Sequence, residues 1–388
     1  MRIFFFCGSE YGVGTFVRAR EFARAFHRKG HLVVLGYLGK KLLEVEKREE
    51  QGFLEIGFPR FLNRANLDHL ASPMAVHAAK KLVEEVKFDV VHGFEHYAAI
   101  HYAAEHARNV HGAIYVTDWA DWISTSSKRK FYTLPGGRKY LRWLERRAKL
   151  SADGVTAISH ILQAEAVKIG QPSEKVIFLP GGAPACRLQP LDMKKCRIGL
   201  DISHEGTIFG YMGSWLTEEL IPFLEAFSLL TQQPKPKMLI MGNSSEELKN
   251  YVASKGLKDR VMITGFVEEA VMNQHLCACN ALLIPMIDNE YNRSRWPNKI
   301  GDYMACGRPI IASAVGEVPS VFEMGNIGYM VNESIESICE AMTNITDNDG
   351  NIQEIFGSTA HTIAKERISW DALAEKLSSF YEALIKNQ

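Results

Sequence analysis

The sequence has no excess of charge of either sign: 45 Lys and Arg stand against 45 Asp and Glu. A neutral total excludes the broad basic surface that nucleic-acid binding needs, so no nucleic-acid partner is expected. No apolar run approaches the length of a membrane span. MRIFFF at residues 1–6 is too short for a signal peptide and reads as a buried first strand, so the expected location is the cytoplasm. The seven cysteines (Cys7, Cys186, Cys196, Cys277, Cys279, Cys306 and Cys339) include no C-x-x-C pair with a second half. That excludes a zinc site and a disulfide framework and leaves reduced core residues. NITDNDGNI at 344–352 has too few acids for a calcium cage and reads as a surface turn, so no metal is expected. The glycines near the start lack the G-x-G-x-x-G spacing of a dinucleotide site. No residue-level repeat relates the two halves.

What is present fits two domains. The chain has 388 residues, 46% hydrophobic and 23% charged, enough for two cores. Residues 1–7 form an apolar strand that breaks into a turn with Gly12 and Gly14. A helix with Phe16, Ala19, Phe22, Ala23 and Phe26 on one face follows, with Arg18, Arg20 and Arg24 lying elsewhere. Gly30 stops it, and a strand runs over 31–35. Residues 41–87 carry a charged run at 44–50 and then helices around 71–87. Strands at 88–94 and 112–117 leave polar groups at their exits: His92, Glu95 and His96 after one, Asp118 after the other. Further strands cover 154–159 and 176–182. Residues 185–205 lack periodicity and read as an interdomain linker. The second half opens with a strand ending at Gly213-Ser214, then alternates helices with strands ending at Gly242 and at Phe266-Val267. Such alternation argues a parallel sheet in each half, an α/β chain of two Rossmann-like domains (1–184 and 206–369) facing a cleft. A last amphipathic helix, 370–388, carries Trp370, Leu373, Leu377, Phe380, Tyr381 and Leu384 on its stripe.

Two stretches carry chemistry. Residues 128–149 hold nine basic residues and one acid, Glu145, with Phe131, Tyr132, Tyr140 and Trp143 interleaved. The plain reading is a helix with a solvated basic face. The sharper one is peripheral contact with an anionic membrane or with the phosphate of a lipid-linked acceptor, which would put the protein at the inner membrane face. The second stretch runs from the apolar strand at 281–286, through Arg293, Ser294 and Arg295, to a helix opened by Pro297 and stopped by Gly307, then to an apolar strand at 309–314. Free amides and the dipole at that helix start suit an anion. Lys299 in the first turn suits a diphosphate, and Asp302, three residues on, suits sugar hydroxyls. Lys–Asp pairs three apart are usually solvated surface. The position, at the C-terminal edge of an apolar strand, is where open α/β sheets bind ligands.

PNKIGDYMACGRPIIASAVG at 297–316 resembles the donor segment of the retaining GT-B glycosyltransferases of the large family-four group, P-x-K-x-x-E-Y-M-A-x-G-x-P-V-V-A followed by a Gly-rich turn. The resemblance implies transfer of a sugar from a UDP- or GDP-linked donor to a glycan, lipid-linked or small-molecule acceptor, with no cofactor. Phe266 and Val267 would flank the base and Asp302 would hold the ribose. Arg293, Arg295, Lys299 and the amides of Gly213 and its neighbours would take the diphosphate, with Gly242 closing the edge. The Gly12–Gly14 loop would lie against the donor diphosphate and the acceptor, with His92 and Asp118 as catalytic candidates, and the C-terminal helix would cross back to the first domain. The chain departs from the family at four positions. Glu219 replaces a diphosphate-gripping Lys and Ser214 the Arg near it. Ser294 stands where the first of two glutamates is usual, and Asp118 falls at the histidine of T-x-H. The alternatives on the same fold are a nucleotide-sugar epimerase, a phosphorylase or a non-catalytic binding relative.

Overall fold

The computed structural model describes residues 1–50, 52–60, 72–122, 136–202, 205–213 and 217–388. They form two compact units: Met1–Pro180 with Ser294–Trp296 and Trp370–Gln388, and Gly181–Arg293 with Pro297–Ser369.

The first unit is built on an eight-stranded sheet of order β3-β4-β2-β1-β5-β6-β7-β8. Its strands are β1 (Arg2–Glu10), β2 (Leu32–Leu38), β3 (Glu46–Glu50), β4 (Phe53–Phe58), β5 (Val90–Phe94), β6 (Ile114–Trp119), β7 (Gly154–Ala157) and β8 (Val176–Phe178). β1 is apolar from Ile3 to Cys7 because that stretch is covered on both faces. Ile3 and Phe5 point into one cluster, with Phe22 and Phe26 of the Thr15–Arg28 helix, while Phe4 and Phe6 point into another, with Phe58 and Phe88. The charged run at 44–50 contains a strand: β3 pairs antiparallel with β4 at the end of the sheet. Edge strands carry charge at little cost and are protected by it against further pairing. The Trp370–Lys386 helix packs its stripe into the Phe22–Phe26 cluster. Trp370 meets Phe22 edge-on at 5.1 Å, Arg28 pairs with Asp371 at 2.7 Å, and Lys29 pairs with Glu375.

The second unit is a six-stranded parallel sheet of order β11-β10-β9-β12-β13-β14. The strands are β9 (Ile208–Met212), β10 (Lys237–Met241), β11 (Val261–Gly265), β12 (Ala281–Ile284), β13 (Ile310–Ser313) and β14 (Gly328–Val331). The stretch expected to be a linker is instead part of this unit. Residues Met193–Gly199 form a helix that Asp192 caps by accepting from the Lys195 amide at 2.7 Å. Buried Arg197 then donates to the Ala278 carbonyl (2.9 Å), the Gly206 carbonyl (3.0 Å) and Asn280 Oδ1 (2.6 Å). The pattern looked aperiodic because one arginine, rather than an apolar stripe, fixes the helix.

Candidate active site

In the second sheet β9 has β10 on one side and β12 on the other, so successive connections run in opposite directions from it. The C-terminal ends of β9 and β12 therefore flank a topological switch point, the usual ligand site of an open α/β sheet. Three glycines close this edge. Gly213 N–H donates to the Met241 carbonyl at 2.8 Å, and Gly242 N–H to the Gly265 carbonyl at 2.7 Å. Those amides are spent on the protein, so Gly213 does not offer its N–H to a diphosphate as the sequence suggested. Gly242 has φ +131°, and a Cβ there would stand 2.3 Å from the Gly213 carbonyl oxygen. Gly242→Ala combines a backbone clash with a strained φ and is expected to cost at least about 2 kcal/mol. Equilibrium denaturant unfolding checks this, and a loss below half that figure would show that the edge relaxes.

The Lys299–Ala305 helix is held by fully buried Ile300 and Met304 and by the Tyr303 hydroxyl, which accepts the Met212 N–H at 2.9 Å. Gly301 lets it lie against the chain: a Cβ there would be 2.9 Å from the Gly182 carbonyl. The anchoring delivers Lys299 to the end of β9. Its Nζ sits 3.3 Å from the Tyr211 hydroxyl and 4.4 Å from the ring centroid, over the face. A Cβ at position 213 would fall 2.7 Å from that Nζ, so glycine is what leaves room for the ammonium. The expected free amides are fewer than foreseen. Ile300 N–H donates to the Pro297 carbonyl (2.8 Å) and Gly301 N–H to the Asn298 carbonyl (3.3 Å). The helix spans seven residues, so the Lys299 charge outweighs its dipole. Asp302 stands half-buried in the first turn. Tyr211 is a site residue that the sequence reading missed; its signal was its place two residues before Gly213 on the same strand.

The other candidates divide. Arg293 is exposed, and its guanidinium forks onto the Asp288 carboxylate at 2.5 and 2.8 Å, holding that carboxyl below its ordinary range. Two of its five donors are on Asp288 in an exposed pair, with Nη1 outside that fork. Arg295 falls in Ser294–Trp296, grouped with the first unit, where the Ser294 carbonyl accepts from Ser159 Oγ at 2.7 Å. Ser214 lies outside the described residues. Glu219 is buried and accepts from Asn292 Nδ2 at 2.7 Å, while the same amide donates to the Ile287 carbonyl at 2.8 Å. The acid that departs from the family pattern thus fixes the loop before Lys299. Phe266 is 77% exposed just beyond β11, with Val267 half-buried beside it. A pocket of about 680 Å³ opens at this end of the sheet, lined by Asn243, Ser244, Thr264 and Gly265 among others.

In the first unit Gly12 and Gly14 form the turn after β1 with φ of +81° and +59°, and Ser9 Oγ accepts the Thr15 N–H at 3.2 Å to cap the helix start. The two catalytic candidates are corrected. Asp118 does not project from its strand toward a ligand; it is fully buried. Arg18 grips both its oxygens (Nε to Oδ2 3.1 Å, Nη2 to Oδ1 3.0 Å), and Thr156 Oγ1 donates to Oδ1 at 2.6 Å. The remaining Arg18 donors go to the Leu179 and Pro180 carbonyls, each at 2.7 Å. His92 is equally buried, between Tyr381 Oη at 2.5 Å and Thr156 Oγ1 at 3.3 Å, and burial pushes its pKa down to about 3. Together these contacts tie three strands, the chain just after β8 and two helices to one another.

Comparison with known proteins gives the broader context. The model described as Glycosyltransferase Family 4 matches residues 12–185, and that described as Glycosyl transferases group 1 matches residues 206–348. N-acetyl-alpha-D-glucosaminyl L-malate synthase of Bacillus anthracis is 23% identical over 378 residues, 92% of this chain and 93% of that protein. Among solved structures, sucrose-phosphate synthase from Thermosynechococcus elongatus aligns with a TM-score of 0.78 at 18% identity over the whole of both chains. HepE from Anabaena, in complex with UDP, aligns at 0.72 and 16% identity over 99% of this chain and 100% of its own. The likenesses to solved structures show the fold, and the family matches, one on each half, support placing the chain among the GT-B glycosyltransferases.

Proposed function

We propose that the chain transfers a hexosyl group from a nucleotide diphosphate sugar to an acceptor hydroxyl with retention of anomeric configuration. The observation that carries this is the Lys299 ammonium, set over Tyr211 and against Gly213 at the switch point. In the reaction the bond from the anomeric carbon to the distal phosphate breaks, its electron pair stays on the phosphate, and the acceptor oxygen bonds to that carbon as its proton leaves. Charge grows on the departing diphosphate, and a fixed cation beside it stabilises the transition state more than the ground state. Asp302 holds ribose hydroxyls, Phe266 and Val267 flank the base, and the Gly12–Gly14 loop receives the acceptor side. The UDP complex of HepE favours a sugar-nucleotide donor of the uridine type.

A panel of nucleoside diphosphates tested by thermal shift is the first measurement. A ligand at a hundred times its Kd adds about 2.7 kcal/mol to the folded state, so binding of even modest strength registers. UDP or GDP is expected to raise the melting temperature; no shift with any member would remove the basis of the proposal. Proton NMR of the first transferred product then reads the anomer, and inversion would refute the retaining part alone.

A further inference from the structure

The Gly137–Ser151 helix plays no part in the site above, yet its outer face has a distinct chemistry. Its inward positions are Gly137, Leu141, Leu144, Glu145, Ala148 and Lys149. The helix's one acid is therefore turned inward, where Glu145 Oε1 accepts from Trp119 Nε1 at 3.1 Å. Lys149 is likewise committed, to Thr117 Oγ1 (3.0 Å) and the Asp118 carbonyl (3.1 Å). Outward stand Arg138, Lys139, Arg142, Arg146 and Arg147. Among them, 48%-exposed Trp143 stacks on Tyr140 at 5.8 Å, with Leu150 exposed two turns on. Arg147 shares its charge with Glu105 at 3.5 Å and donates to His101 Nε2 at 3.1 Å.

We infer that this face docks on the headgroup surface of an anionic lipid bilayer. The chain as a whole is neutral, so five cations with no outward acid on one helix are a local device rather than a general property. A soluble polyanion would ask only for charge. A stacked Tyr–Trp pair and an exposed leucine between the cations are what an interfacial helix adds, since amphipathic rings settle at headgroup depth. Among the described residues no helix is long and apolar enough to cross a membrane, so contact through this helix is peripheral.

The test is co-sedimentation of the full chain with phosphatidylcholine vesicles, with and without phosphatidylglycerol, and needs no sugar substrate. Binding is expected only with phosphatidylglycerol and is expected to weaken as salt is raised. Reversing two charges (Arg142→Glu with Arg146→Glu) is expected to weaken it by roughly tenfold or more, and Trp143→Ala severalfold. Lys258→Glu, exposed in the second unit, should change nothing. All the substituted side chains are exposed, so unchanged melting temperatures confirm that the variants fold. Equal binding to both vesicles, or equal loss in the Lys258 variant, overturns the inference. Loss on charge reversal with full binding by Trp143→Ala overturns the bilayer as partner in favour of a soluble polyanion.

Discussion

Lys299→Ala is expected to leave the chain folded and to remove most of its grip on a nucleoside diphosphate. The side chain is half-buried, and the neighbours that anchor its helix (Ile300, Tyr303 and Met304) are untouched. A charge-assisted hydrogen bond to phosphate contributes about 1.5–3 kcal/mol in the ground state, so affinity for the nucleotide should fall roughly ten- to a hundredfold. The loss in kcat should add to this, because the cation faces charge that develops only as the bond breaks; removing one such electrostatic donor costs about 10²–10³. Titration calorimetry with UDP or GDP reads the first effect, and steady-state turnover of the donor reads the second. Lys299→Arg keeps the charge but changes its reach over the Tyr211 ring and should fall between. An alanine variant that binds and turns over like the parent would mean that the diphosphate lies elsewhere.

Asp118→Ala is the substitution with the largest expected effect on stability. It removes the carboxylate and strands Arg18, a buried cation whose other donors are already placed on two carbonyls. Breaking a buried pair from one side costs about 3–5 kcal/mol, mostly because a charge is left without its partner. Chemical denaturation measures it, and a double variant, Arg18→Met with Asp118→Ala, should recover much of the loss. If the single variant is stable but inactive, Asp118 belongs to the chemistry after all. Acid acts on the same cluster. With His92 held near pKa 3 in the fold and near 6.5 when unfolded, the unfolded chain takes the proton first. Stability is therefore full above about pH 6.5 and falls as pH is lowered toward about 3.

The sequence and the structure agree where local pattern dictates the outcome. The apolar run of β1, the glycine stops and the stripe of the last helix each follow from spacing and composition, and each is where it was expected. Lys299 was legible because its loop, helix and flanking strands are contiguous in the chain. Asp118 was not, because the residues that bury it lie 100 positions upstream and 38 downstream. A polar residue at a strand's end looks the same in sequence whether it meets solvent or a distant arginine. Arg18 was misplaced for the same reason: helical periodicity assigns a charged residue to the open side, and only the tertiary partner reveals that this one points in. Glu219 shows the converse. As a departure from the family pattern it suggested a weakened phosphate grip, while its hydrogen bond to Asn292 shows that it braces the loop that presents Lys299.

The way Tyr381 reaches His92 sets a condition on how the protein can be made. The first unit's core is completed by side chains made long after its sheet, so residues 1–180 must wait through the synthesis of nearly two hundred more before Trp370, Phe380 and Tyr381 arrive. Until then the groove that receives them exposes Phe22 and Phe26 to whatever else is near. A fragment that stops after β8 is thus not a miniature of the first unit but an incomplete one, and a useful truncation would have to carry the final helix back by fusion.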